Sequence, residues 1–176
     1  MVSRQRAAHI ERMEEDAISL AKAHSVDVER LMICVDAHDL FRDVKPEKLK
    51  KIANLWNIQI TPVERHVPLL LHGKISSEYL RRHFKIEDKE ILDAIAYHTS
   101  GMPTYSPIVM AMFILDSTES GREFEGVEEL RQIAMISLRK GYEAIIKNKI
   151  IYAVTNDLLI LPESVETWNN LRGIKN

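Results

Sequence analysis

The segment Leu31-Met32-Ile33-Cys34-Val35-Asp36-Ala37-His38-Asp39-Leu40-Phe41-Arg42-Asp43-Val44 decides how the chain is read. Val28, Leu31, Met32, Val35 and Ala37 recur at helical spacing behind a capping Asp27, which predicts a helix ending near Phe41. His38 and Asp39 stand at its end. Consecutive residues on a regular helix project about 100° apart, so two metal ligands in succession are awkward within one. Near a helix end the two side chains can converge on one centre. A His-Asp dipeptide alone is common by chance, and its weight depends on what the rest of the chain delivers.

Upstream, Ser3 caps a helix to about Ala23 with an apolar stripe of Ile10, Met13, Ala17, Leu20 and Ala21, and His9 lies beside that stripe. Downstream, Pro46 starts a helix through Leu49, Ile52 and Leu55, and residues 57–62 form a loop. Val63 to Leu71 reads as a short helix or turn broken at Gly73, with His72 behind Leu69-Leu70-Leu71. Helices follow at about 75–83 and 88–98, the latter ending on His98. After a loop from Thr99 to Tyr105, Ser106-Pro107 opens a helix through Val109, Met112, Phe113 and Asp116. The longest helix is expected at about 127–149. A turn at Asn156-Asp157, an extended piece over Leu158–Leu161 and a last helix from Pro162 complete the chain. The expected architecture is all-α, one helical bundle over 1–176.

Composition supports that reading. Over 176 residues, 45% hydrophobic and 28% charged is enough apolar material for a core without disulfides, and six glycines with six prolines argue against a sandwich or barrel. A net charge of −2 gives no reason to expect nucleic-acid or membrane binding. The single cysteine, Cys34, cannot form an internal disulfide and reads as a buried structural thiol. No signal-like or 18-residue apolar run is visible, so the cytoplasm is the expected location.

His9, His38, Asp39, His72, His98 and Asp116 all arise from apolar helix surfaces. A buried carboxylate there requires a metal or a cation. Four imidazoles with two carboxylates suit imidazole-binding first-row metals better than magnesium or calcium. Six protein ligands exceed what one catalytic metal with an open position accepts, so two metals are expected. Asp39 is the expected bridge, with His9, His38 and Asp116 on one metal and His72 and His98 on the other. His24, His66 and His83 are left outside, although His66 lies only six residues before His72.

The order H…HD…H…H…D resembles that of HD-superfamily phosphohydrolases with a two-metal centre. The words His72-Gly73, Ala94-Ile95-Ala96-Tyr97-His98-Thr99-Ser100-Gly101 and Asp116-Ser117-Thr118-Glu119-Ser120-Gly121-Arg122 are similar to those of the YqeK family, the symmetrical bis(5′-nucleosyl)-tetraphosphatases. The resemblance runs from His9 to the tail Pro162–Asn169. It implies an all-α HD fold, a centre of two metal ions (iron, with manganese or zinc as alternatives), and hydrolysis of diadenosine tetraphosphate to two ADP in the cytoplasm. The chain departs from the family at Arg42, where lysine is usual, at Leu115 for alanine, at Ser120 for proline, and over Met102–Tyr105. These departures bear on substrate preference more than on metal binding.

The chemistry expected of such a centre is attack by a metal-activated water on an inner phosphorus. Fixed cations would stabilise the charge that builds on the phosphoryl oxygens: Arg42, Lys45, Arg122 and, one turn before His9, Arg6. Thr99 is a candidate phosphate partner or helix cap, and Ile160-Leu161-Pro162 a candidate wall for the base. Two other functions remain open: an HD phosphohydrolase of another nucleotide (a nucleoside mono- or triphosphate or a guanosine alarmone), and a non-catalytic nucleotide sensor. Phe124 and the apolar faces of the 127–149 helix leave room for a homodimer.

Overall fold

The computed structural model describes residues 3–174; residues 1–2 and 175–176, the ends of the expected 1–176 unit, lie outside the described part. The described residues form helices and turns, with no strand. Helix α1 (Arg4–His24) begins where Ser3 accepts from the Arg6 N–H and ends at Ser25 in a left-handed conformation. Helix α2 (Val28–Ala37) is capped by Asp27, whose side chain accepts from the Arg30 N–H. It stops at Ala37 rather than near Phe41. Beyond it, tight three-residue turns carry the chain, with Arg42 N–H donating to Asp39 C=O and Val44 N–H to Phe41 C=O.

Helix α3 (Pro46–Leu55) follows, then α4 (Pro62–His66), opened by a reciprocal capping box between Thr61 and Glu64. A 3₁₀ turn over Pro68–Leu71 leads into α5 (His72–Tyr79), which runs on as a π-helical turn over Leu80–Phe84. Gly73 therefore sits inside a helix, contrary to the expected break. A Cβ there would lie 2.9 Å from the carbonyl oxygens of both Ile95 and Ala96. The glycine lets α5 press against α6 (Lys89–Ala96), and close approach rather than a turn explains it.

Helix α7 (Pro107–Thr118) is the axis of the fold. Every residue from Ile108 to Leu115 is buried, as expected of a helix that is apolar all round. It packs against α1, α2, α6, α8 (Val127–Ile136) and α9 (Leu138–Thr155). The single long helix expected at 127–149 is instead this α8–α9 hairpin, and α1, with 21 residues, is the longest. Ser137 adopts an extended conformation and its side chain caps α9 by accepting from the Lys140 N–H. The two helices meet where Gly141 faces Ala134: a Cβ on Gly141 would come within 2.7 Å of the Ala134 Cβ. Helix α10 (Pro162–Leu171) closes the chain, its Ser164 hydroxyl donating to Ser100 C=O. A smaller apolar cluster of Leu49, Ala53, Leu71 and Ile75 lies beneath α3.

Candidate metal and phosphate site

Three helix ends converge on one cavity. His38 is the C-cap of α2, His98 follows the end of α6, and Asp116 lies in the last turn of α7. Helix C-termini carry partial negative charge, which favours a cation among them. They also leave carbonyls without helical partners. Two histidines use these: His38 Nδ1 lies 2.7 Å from Val35 C=O and His98 Nδ1 2.8 Å from Ile95 C=O. His72, at the start of α5, does the same with Leu69 C=O of the 3₁₀ turn at 2.6 Å. A carbonyl only accepts, so each Nδ1 carries the proton and each Nε2 turns inward with its lone pair.

His9 comes from the middle of α1, and its Nε2 lies 3.4 Å from Asp116 Oδ1. His9, His38 and Asp116 present ligand atoms all within 4.8 Å of one another, as do His38, Asp39 and His98. Asp39 spans the two groups. Its Oδ2 is 3.4 Å from His38 Nε2, and its Oδ1 is 3.1 Å from His72 Nε2 and 3.7 Å from His98 Nε2. All four histidines and Asp39 are buried, and Asp116 nearly so.

The donor set passes a simple fit test for divalent metal. The Nε2 atoms of His9 and His38 are buried without a hydrogen-bond partner among the described residues, and those of His72 and His98 face each other at 3.0 Å. Buried acceptors of this kind are costly unless something bonds them. Burial pushes the His98 imidazole down to about 3, with His72 and His38 adding to the effect, so at neutral pH it is uncharged. Burial alone would raise the carboxyls of Asp39 and Asp116. Contacts with His38 and His72 outweigh it for Asp39, and contact with His9 does so for Asp116; both are held well below the carboxylate range. Neutral imidazoles and ionised carboxylates are the forms that bind metal.

The cavity, about 580 Å³, is lined by His9, Asp39, His72, His98 and Asp116 together with Gln5, Arg6, Arg12, Arg42, Thr99, Glu119, Gly121 and Arg122, while His38 lies fully buried behind this lining. Val67, Leu69 and Leu70 form an apolar stretch of its wall. Arg6 pairs with Asp39 at 2.5 Å, and Arg122 donates to Asp116 C=O at 2.9 Å. Arg42 lines the cavity and makes no ion pair among the described residues. Its neighbour Asp43 instead accepts from the Ser3 N–H. Thr99 Oγ1 lies 3.1 Å from His98 Nε2.

Four expected contacts are not in the cavity wall. Lys45 is exposed at the N-cap of α3, and Ile160, Leu161 and Pro162 lie at the start of α10, outside the residues that line the cavity. The apolar wall comes from the segment before His72 instead. Of the histidines left aside, His66 and His83 are exposed and His24 bonds Ala134 C=O at 2.7 Å.

Sequence reasoning missed Arg12, Glu119 and Lys149. Arg12 and Glu119 stand three residues after His9 and Asp116, the spacing that puts side chains on one helix face, and that was the available signal. Lys149 had none. From α9 its ammonium reaches Thr99 C=O at 3.1 Å and lies 4.4 Å from the Phe113 ring centre, where burial lowers its pKa against the pull of Asp116.

The chain is similar to known proteins over most of its length. Residues 6–154 match the HD domain family. The chain is 31% identical over 159 residues to the symmetrical bis(5′-nucleosyl)-tetraphosphatase of Halalkalibacterium halodurans, covering 89% of this chain and 83% of that one. With the enzyme of the same name from Bacillus subtilis it shares 29% identity over 153 residues, 87% and 82% of the two chains. The crystal structure of a predicted HD superfamily hydrolase involved in NAD metabolism from Clostridium acetobutylicum superposes with a TM-score of 0.91 at 28% identity, covering 99% of this chain and 92% of the other.

Proposed function

The chain belongs to the HD domain family, and from that premise we propose that it is a metal-dependent phosphohydrolase cleaving diadenosine tetraphosphate symmetrically into two ADP. One observation carries the reading: four inward-facing imidazoles and two ionised carboxylates meet in a cavity bordered by the guanidinium groups of Arg6, Arg42 and Arg122. Two relatives bearing the tetraphosphatase name over most of their length support the choice of substrate.

In this reading His9, His38 and Asp116 would hold one metal ion, His72 and His98 would hold a second, and Asp39, which lies near both groups, would contribute its carboxylate. Iron, with manganese or zinc as alternatives, suits the imidazole-rich set. Bound metal supplies a water acidic enough to be ionised near neutrality and a Lewis acid for a phosphoryl oxygen. The protein's own work is orientation and charge. Arg42 and Arg122 meet the negative charge that grows on the phosphoryl oxygens as the bond to the departing ADP breaks. Arg6, paired with Asp39, holds that carboxylate in place and adds a third cation. The Thr99 hydroxyl offers a phosphate donor beside His98, and Val67, Leu69 and Leu70 give the base an apolar surface.

The enzyme acts in the cytoplasm as one domain over 1–176. No described helix is long and apolar enough to cross a membrane. Exposed Phe124, Ile136, Ile151 and Tyr152 supply apolar surface for a homodimer, which sedimentation would detect.

A substrate panel on metal-reconstituted protein tests the function. It should hold the tetraphosphate, nucleoside mono- and triphosphates, a guanosine alarmone and NAD, the last because of the Clostridium relative. The tetraphosphate should give the highest kcat/KM. A different nucleotide leading the panel would reassign the substrate, and a metal-loaded protein with no turnover of any would make the chain a sensor.

A further inference from the structure

Three of the four inward-facing histidines are oriented by main-chain carbonyls, each at position i−3, at 2.6–2.8 Å. His9 cannot be. It lies within α1, where the preceding carbonyls are engaged in the helix's own hydrogen bonds. Its Nδ1 instead faces Glu119 Oε1 at 3.3 Å, across the gap between α1 and the end of α7.

Glu119 is itself built in. It is 3% exposed, and among the described residues its hydrogen-bond partners other than His9 are all donors. Arg12 Nε donates to Oε2 at 2.6 Å and Arg12 Nη2 to Oε1 at 3.3 Å, while the Gly121 N–H donates to Oε2 at 2.6 Å. A carboxylate that takes the Arg12 guanidinium and the Gly121 N–H as donors acts as an acceptor toward His9 as well, so the His9–Glu119 contact places the proton on His9 Nδ1. Gly121 makes the arrangement sterically feasible: a Cβ there would come 2.4–2.8 Å from the Arg12 guanidinium.

We propose that Glu119, clamped by Arg12 and the Gly121 N–H, is the positioning residue that fixes the tautomer and orientation of His9, so that Nε2 is available to metal. The inference rests on the metal-binding reading of the site and not on the nucleotide it hydrolyses. Carboxylate partners of metal-ligating histidines are a general device, and losing one typically costs about 10–100-fold in metal affinity or activity.

The surroundings make Glu119→Gln a sharp test. Its amide can satisfy Arg12 and Gly121 only by placing its oxygen at the Oε2 position. The NH₂ then meets His9, which must accept at Nδ1 and carry its proton on Nε2, the atom meant for metal. Long-range nitrogen–proton correlation spectra of the metal-free protein should show His9 as the Nδ1–H tautomer in the parent and the Nε2–H tautomer in Glu119→Gln, with the other three site histidines unchanged. Titration with Mn²⁺ alone should show the parent's two binding steps, with one weakened about 10–100-fold in the variant. Gly121→Ala, which displaces Arg12 and leaves the carboxylate in place, should weaken the same step less.

A His9 that keeps its tautomer in Glu119→Gln, with Mn²⁺ binding equal to the parent, would overturn the proposal. If Glu119→Gln fails to fold, the parent spectrum decides alone, since an Nε2–H tautomer there contradicts the inference outright. A parent that binds no Mn²⁺ would instead count against the metal-site reading, and so the two failures are separable.

Discussion

At the scale of single residues, Arg42 has the most specific part in the proposed chemistry. It lines the cavity with no ionic partner among the described residues, at the position where the resemblance to the tetraphosphatase family leads one to expect lysine. Arg42→Ala should lower kcat/KM by about one to three orders of magnitude, the range for loss of one fixed transition-state donor. Arg42→Lys should recover much of that loss, and elemental analysis should find metal content unchanged in both. Activity within two- to threefold of the parent in Arg42→Ala would assign the charge to Arg122 or Arg6. Cys34 gives a second residue-scale test. Burial pushes its thiol up to about 12, with Asp88 adding to the effect, so almost none is thiolate at neutral pH. An aromatic disulfide reagent should label it only as denaturant unfolds the chain. Rapid labelling of the native protein would contradict its place in the core.

The six inward-facing ligand candidates were legible because a histidine or aspartate on an apolar face stands out against its neighbours. Glu119 and Arg12 were not, because charged residues near helix ends are common and only the fold shows that these two are in contact. The apolar part of the cavity wall was hidden for a related reason: Ile160–Pro162 and Val67–Leu70 are both apolar in sequence, and only packing brings Val67, Leu69 and Leu70 to the cavity.

At the scale of elements, caps and prolines located most helix starts, with Ser3, Asp27, Pro46, Ser106 and Pro162 at or beside observed N-termini. Interruptions driven by packing were hidden. The sequence over 127–149 has no proline and reads as continuous, yet the chain turns at Ser137 so that Gly141 can meet Ala134. Gly141→Ala should therefore destabilise the fold by about 1–3 kcal/mol, the usual cost of overpacking, in a denaturant titration. Gly73→Ala tests the α5–α6 contact that sets His72 against His98. A methyl group there meets two backbone oxygens at 2.9 Å, which cannot swing aside as a side chain would. Its expected loss is similar, about 1–3 kcal/mol, together with reduced metal content. Unchanged stability and metal content would mean that α5 and α6 are not held as close as described.

Over the whole molecule, the buried α7 holds five neighbouring helices in a frame, and the ends of α2, α6 and α7 meet at one side of it. Carbonyl dipoles, inward imidazoles and ionised carboxylates gathered there favour a bound cation, and a cation that binds only the folded chain links folding to metal. A metal present at about 100 times its dissociation constant should add about 2.7 kcal/mol to the stability of the metal-free chain, seen as a rise in Tm that chelation reverses. The guanidinium groups of Arg6, Arg42 and Arg122 make the same cavity receptive to a polyphosphate.

Hydrolysis of the tetraphosphate by metal-loaded protein in H₂¹⁸O tests the account at its centre, because the products report the bond broken and the label reports the atom attacked. Water attack at an inner phosphorus predicts ADP as the sole nucleotide product, two per substrate, with one ¹⁸O on the terminal phosphate of one member of each pair. Formation of ATP and AMP, or of ADP free of label, would contradict it.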